Sequence, residues 1–295
     1  MNLDKLVSQL RVPTKGKINL AKDYDPRFTA GYDKDDLDAE KLLKKGIEEI
    51  AEYQEKLYAE NRQALLIVIQ AMDAAGKDSA IAHVFSGVNP AGFQVTSFKA
   101  PSAEELDHDY LWRCNRALPE RGRIGIFNRS HYEELLAVRV HPSFLPPQRL
   151  PERTLDDGLW KQRFEEINNW EKYLVNQGIE IVKIYLNLSK EEQREQQLER
   201  IDTPEKNWKF NAADIEERKY WDEYMKAFDD VFDNTSTPWA PRYIIPADKR
   251  WFTRLALAAV IGEKLREMDP KFPKMAEKDR PKMLEARASL MAEGK

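Results

Sequence analysis

Five short apolar stretches constrain this chain more than any other feature: "ALLIVIQ" (64–70), "FQVTSF" (93–98), "RIGIFN" (123–128), "IEIVKIYLNLS" (179–189) and "YIIPA" (243–247). Each is rich in β-branched residues, and helical patterns lie between them. Near-continuous apolar runs alternating with helices indicate a parallel sheet covered on both faces. The periodicity predicts helices over about 77–87, 102–118, 131–138, 152–177, 190–200, 211–233 and 250–268. Ligands of such a sheet bind beyond the carboxyl ends of its strands. The turns 71–79, 98–102, 128–134, 187–191 and 246–250 are therefore the places to look for chemistry.

The first turn, "AMDAAGKDS", resembles the phosphate-binding pattern G-x-x-x-x-G-K-[ST] with two alterations. Ala71 takes the first glycine position, and Asp78 replaces the Ser/Thr that normally touches magnesium. Asp73 adds a carboxylate inside the loop. Backbone amides opening a helix cradle an anion; here Gly76 permits close approach and Lys77 supplies a cation. The plain alternative is a strand–helix connection that happens to contain Gly-Lys. A carboxylate beside bound phosphate is repulsive unless a divalent cation lies between them. Magnesium takes one or two carboxylates along with phosphate oxygens and water. Asp73 is the first-choice ligand and Asp78 the second, unless Asp78 only favours the helix start.

After the third strand come Asn128, Arg129, Ser130, His131 and Tyr132. Many phosphate-loop enzymes place a magnesium-holding aspartate at this strand end. Asn128 is neutral there and can bind water or phosphate, while Arg129 is placed as a bidentate phosphate clamp. His131 reads either as a proton carrier or as a packed or capping residue. The four histidines show no zinc-like spacing.

The remaining composition mostly excludes. A net charge of -4 argues against general affinity for nucleic acid or anionic membrane. No window approaches the ~20 apolar residues of a membrane span, and no signal-peptide run opens the chain. A cytoplasmic enzyme is the expectation. The single cysteine, Cys114, excludes an internal disulfide and reads as a buried thiol rather than a nucleophile. Residues 1–60 read as an irregular arm, with "KDYDPRFTAGYDKDD" extended on the surface, and then one long helix carrying Leu42, Leu43, Ile47, Ile50 and Leu57. Residues 61–268 form the main domain, with a lid at about 200–222. The charged tail 269–295 reads as a loose helix or as disordered.

That lid is the cationic stretch holding Arg194, Arg200, Lys206, Lys209, Arg218 and Lys219, broken by Thr203-Pro204 and Asn207-Trp208. A solvated helix face is the plain reading, but the proline break and the tryptophan favour a loop that folds over a site. The length of the basic run also suits an extended anionic chain.

"MDAAGKD", "FNRSHYEELLAVRV", "RIDTPEKNWKFNAADIEER" and "TSTPWAPRYIIPADKRW" together resemble the family-2 polyphosphate kinases, in the expected order over roughly residues 40–268. "FNRSHYE" is similar to the third subclass, whose members phosphorylate both AMP and ADP with inorganic polyphosphate. Other subclasses usually carry aspartate at the Asn128 position, and Ala71 departs from the family's commoner glycine. The resemblance implies a P-loop kinase-like three-layer α/β fold: a five-stranded parallel sheet, helices on both faces and a helical lid. It implies that Asp73 and Lys77 hold magnesium, or manganese in its place, and the reacting phosphates, with Arg129 beside them. Ala75, Gly76, Asp78, Ser79 and Asn128 fall at the nucleotide and phosphate site. Arg200, Lys206, Lys209 and Arg218, with Lys99 as a further contact, fall to polyphosphate. It also implies a homodimer or homotetramer working on AMP, ADP and ATP.

Three other readings compete. An ATP-dependent nucleoside monophosphate kinase shares the loop, sheet and basic lid. A non-catalytic nucleotide-binding module would account for Asn128. A nucleic-acid-binding protein is disfavoured by the acidic balance and by the lack of an aromatic-basic sheet.

Overall fold

The structure, a computed structural model, describes residues 3–35, 37–156 and 158–293. All five apolar stretches form strands: β1 Ala64–Ala71, β2 Phe93–Ser97, β3 Ile124–Asn128, β4 Ile179–Asn187 and β5 Arg242–Pro246. Their order is β2-β3-β1-β4-β5, and every pairing is parallel. β1 is central and buried on both sides because successive side chains point to opposite faces. Leu65, Ile67 and Ile69 meet Ile50, Leu57, Val84, Leu257 and Ile261 on one side. Leu66 and Val68 meet Phe164, Ile167, Phe228 and Phe232 on the other. Each such side chain contributes about 1.5–3 kcal/mol on burial, which holds three layers together.

The helices are α1 Leu3–Leu10, α2 Leu37–Glu60, α3 Lys77–Val84, α4 Leu159–Asn176, α5 Lys190–Asp202, α6 Ala212–Glu217, α7 Trp221–Thr235, α8 Arg250–Met268 and α9 Arg280–Glu293, with shorter helical turns between them. Several expectations need correcting. The segment 102–118 is two short helices, Ala103–Leu106 and Trp112–Arg116. A capping box on Ser102 starts the first, and Asp109, accepting from the Leu111 amide at 2.9 Å, starts a new turn before the second. Over 131–138 a 3₁₀ turn His131–Glu134 precedes a helix Ala137–Val140, which gives way at Pro142. α4 begins only at Leu159, and the stretch 211–233 is broken by a 3₁₀ turn, Arg218–Tyr220.

The arm is not irregular throughout. Leu6, Val7 and Leu10 lie on one buried face of α1, eight residues being too short a window for the pattern to stand out. Beyond it, the Val12 amide donates to the Arg242 carbonyl at 2.8 Å. Nor does the following segment merely lie on the surface. Asn187 donates to the Tyr24 carbonyl at 2.9 Å, the Asp248 amide donates to that of Pro26 at 3.2 Å, and Phe28 meets Phe252 edge-on. The arm thus crosses the carboxyl ends of β4 and β5. At the other terminus α9 is helical with no buried residue.

Candidate active site

With β4 and β5 covered, the open part of the sheet's ligand-bearing edge belongs to β1, β3 and β2. Ile69 and Ser97 are both in register with Asn128, so these three strand ends lie side by side. The turn after β1 has two left-handed residues, Ala74 (φ 66°) and Gly76 (φ 83°). A Cβ on Gly76 would meet nothing within 4 Å, so backbone conformation rather than space calls for glycine there. Ala71 is still part of β1, in extended backbone that any residue adopts. Replacing the usual glycine at that position therefore introduces no strain.

Lys77 opens α3 and curls back, Nζ donating to the carbonyls of Ala71 (3.2 Å) and Met72 (3.4 Å). Burial lowers its pKa, opposed chiefly by Asp73. Arg129, left-handed at φ 63°, pairs its Nη2 with Asp73 Oδ1 at 2.6 Å. Burial would lower the guanidinium pKa, but Glu133 and Asp73 outweigh it and raise it. Glu133 belongs to the same cluster: burial lifts its carboxyl pKa against the pull of Arg129 and Lys77. Gln70, its amide assigned from the hydrogen-bond network, donates to Glu133 Oε1 at 3.0 Å and accepts from the Ser130 amide at 3.1 Å.

Asn128 Nδ2 donates to Asp78 Oδ1 at 2.5 Å. Against the usual pattern, carboxylate and neutral partner have changed places: the acid stands at the loop position and the neutral group at the strand end. Two aspartates here would set like charges in contact and raise one pKa strongly. Asn128→Asp is therefore expected to lower kcat/KM about tenfold more at pH 6 than at pH 8, relative to wild type, because one carboxyl must lose its proton at a raised pKa. Parallel pH–rate profiles of the two proteins would count against this coupling.

Ala75 is buried beneath the loop, whereas Ser79 is exposed and accepts from Arg254 Nη2 at 3.4 Å. Of the cations in the segment 200–222, Arg200 pairs with Asp214 at 3.2 Å and Lys206 with Glu199 at 2.5 Å. Lys209 lies 5.0 Å from the Trp208 ring centroid. Arg218 donates to Gln193 Oε1 at 2.6 Å, and Gln193 donates to the Asp73 carbonyl at 3.0 Å, so the cationic segment is joined to the loop. Lys99 is not brought to this group. It follows β2, three strand positions from β4 and thus about 14 Å across the sheet. There it lines a separate hollow of about 360 Å³ with Arg113 and Arg116.

Sequence reasoning missed Glu133, Gln193 and Asp214. Burial raises the Asp214 carboxyl pKa and Asp73 adds to it, opposed by Arg200. Glu133 and Asp214 lie inside stretches that carry the family resemblance but were assigned no role there, and Gln193 lies in none of them; the fold is what brings all three to the loop. His131 is 1% exposed, 3.4 Å from Glu171, and its pKa is lowered by burial, which suits a packed residue and not a proton carrier. Cys114 is fully buried, its thiol pushed up to about 12 by burial.

Among the described residues no three His, Cys, Asp or Glu side chains gather around a metal position. Asp73 and Asp78 offer one carboxylate each. Such sparse oxygen donors fit a magnesium ion whose other ligands are phosphate and water better than an all-protein cage. No described helix is long and apolar enough to cross a membrane.

A family model described as Polyphosphate kinase 2 (PPK2) matches residues 32–273. The chain is 46% identical over 284 residues to the ADP-polyphosphate phosphotransferase of Rhodopseudomonas palustris, covering 96% of this chain and 98% of that one. It is 40% identical over 270 residues to the AMP/ADP-polyphosphate phosphotransferase of Meiothermus ruber, covering 90% and 96%. The crystal structure of polyphosphate kinase 2 from Arthrobacter aurescens superposes with a TM-score of 0.84 at 38% identity, covering 95% of this chain and 96% of that one.

Proposed function

The chain belongs to the polyphosphate kinase 2 family, and from that premise we propose that it transfers the terminal phosphoryl group of polyphosphate to AMP and to ADP, giving ADP and ATP. The observation that carries this reading is Lys77, Asp73 and Arg129 gathered at the adjacent ends of β1 and β3, with a cationic segment joined to them through Gln193.

The attacking group is a phosphate oxygen, mostly ionised near pH 7 because its second pKa is about 6. No general base is required. The obstacle is bringing two polyanions into line, since unit charges ~4 Å apart repel by about 4 kcal/mol at an effective dielectric near 20. Lys77 and Arg129 offset that repulsion most when charge spreads over the transferring group. Asp73 and Asp78 would hold magnesium, which supplies charge neutralisation between the phosphates. Asn128 keeps Asp78 turned to the cleft, and Gly76 and Ala75 contribute backbone to the cradle. Arg200, Lys206, Lys209 and Arg218 hold the donor chain, which requires Arg200 and Lys206 to exchange Asp214 and Glu199 for phosphate. Lys99, in the hollow it shares with Arg113 and Arg116, is a further phosphate contact apart from that group. Because successive phosphoanhydrides are of similar energy, the transfer runs in either direction according to concentrations.

Purified protein with magnesium, AMP and polyphosphate as sole donor should yield ADP and then ATP. ATP from ADP but nothing from AMP would remove AMP as acceptor. Product only with ATP as donor would replace the reading with a nucleoside monophosphate kinase. Arg218→Ala and Lys209→Ala should each raise KM for polyphosphate about tenfold, roughly the loss of one charge-assisted contact, with KM for AMP unchanged. A change confined to the nucleotide KM would remove the lid from the donor site.

A further inference from the structure

Arg129 is held at φ 63°, a backbone conformation that a non-glycine residue keeps only where its surroundings over-determine it. The residues that follow it, His131 and Tyr132, are held by a buried cluster between the sheet and the helices α4 and α7. The Tyr132 hydroxyl donates to Glu171 Oε1 of α4 at 2.7 Å, and His131 Nε2 is 3.4 Å from the same oxygen. Glu171 Oε2 receives Lys183 Nζ of β4 at 2.5 Å, and Lys183 donates also to the Thr235 carbonyl of α7 at 2.6 Å. Arg242 of β5 donates to Thr235 Oγ1 at 2.9 Å and lies 4.5 Å from the centre of the Tyr132 ring. The Glu171 and Lys183 side chains are wholly buried.

Stability alone is a poor reason for such a cluster, because well-packed apolar residues commonly do as well in its place. Its position supplies a better one. It converges on the two residues that follow Ser130, and it draws in α4, α7, β4 and β5. From the other side the turn is held by β1: the Arg129 amide donates to the Ile69 carbonyl at 3.1 Å, and the Gln70 side-chain oxygen accepts from the Ser130 amide.

We propose that Tyr132 and Glu171 are positioning residues for Arg129: their buried hydrogen bond, braced by Lys183 and Arg242, fixes the turn 129–132 so that the guanidinium reaches Asp73 and the transferring group. This rests on the phosphoryl-transfer reading above. A double-mutant cycle over Tyr132→Phe and Arg129→Ala tests it, with kcat measured using polyphosphate and, separately, ATP. A wrong donor assignment then shows in the wild-type protein, and the cycle is read with the donor that works. Tyr132→Phe alone should lower kcat about tenfold, as misplacement of a reacting group does, with both KM values within about twofold. In the Arg129→Ala background, where residual turnover is followed by product accumulation over hours, it should change nothing further. Should Tyr132→Phe fail to fold, the double change Lys183→Met/Glu171→Leu, which removes the acceptor of the Tyr132 hydrogen bond and leaves neither charge buried alone, takes its place in the cycle. Equal losses in both backgrounds, or no loss of kcat, would overturn the proposal. So would a crystal structure of Tyr132→Phe in which Arg129 keeps its left-handed turn and its bond to Asp73.

Discussion

Asp73→Asn is expected to lower kcat for transfer from polyphosphate to AMP by about 10³-fold, about 4 kcal/mol, at nearly unchanged stability. The amide keeps the shape of the side chain but removes the charge that pairs with Arg129 at 2.6 Å and would draw magnesium to the loop. The fold should tolerate it because the Asp73 and Arg129 side chains remain 26% and 43% exposed, and a pair so open to water contributes at most about 1 kcal/mol. Initial rates and urea unfolding on the same preparation check both halves. A folded variant with kcat within tenfold of wild type would remove Asp73 from the machinery.

Lys183→Met should have the largest effect on stability, a loss of about 3–5 kcal/mol, because Glu171 is left buried without its counter-charge. The pH dependence carries the sign. In wild type, burial would raise the Glu171 carboxyl, but Lys183 and His131 hold it down to about 2. Its contribution is therefore full above the ordinary value of 4.5 and is lost as the pH falls through 4.5 toward 2. Without Lys183, burial should dominate and lift the carboxyl above that value, so the deficit of the variant grows from pH 5 to pH 7.5. Adding Glu171→Leu should restore most of the loss. Urea unfolding of the three proteins at both pH values decides it, and a deficit that shrinks with rising pH would contradict the assigned pair.

The sheet was legible because β1, β3, β4 and β5 carry apolar residues on both faces, a pattern that local sequence displays directly, while the edge strand β2 alternates Phe93 and Val95 with Gln94 and Thr96. α8 was equally plain, its expected and observed bounds both being 250–268. The 102–118 and 211–233 segments were read as continuous because their charge and periodicity survive the breaks, whereas turns made by side chains such as Asp109 leave little trace in periodicity. In the site, Asp73, Lys77, Asp78 and Arg129 announced themselves through motif positions next to strand ends. Glu133 stands in "FNRSHYE" and Asp214 in "NAADIEER", both quoted for the resemblance, yet neither carboxylate drew a role because the first segment was read for Asn128 and Arg129 and the second for its cations. The Glu171–Lys183 pair joins an interior helix position to a strand position, and nothing in either segment names the other.

The bond from the Val12 amide to the Arg242 carbonyl joins residues some 230 positions apart. During synthesis the N-terminal segment leaves the ribosome long before β5 exists, so it cannot reach its place until the last strand and α8 have followed. A segment made before any of the five strands is thus among the last to settle. Until it does, Leu6, Val7 and Leu10 remain exposed, and the newborn protein carries an apolar surface that chaperones can hold.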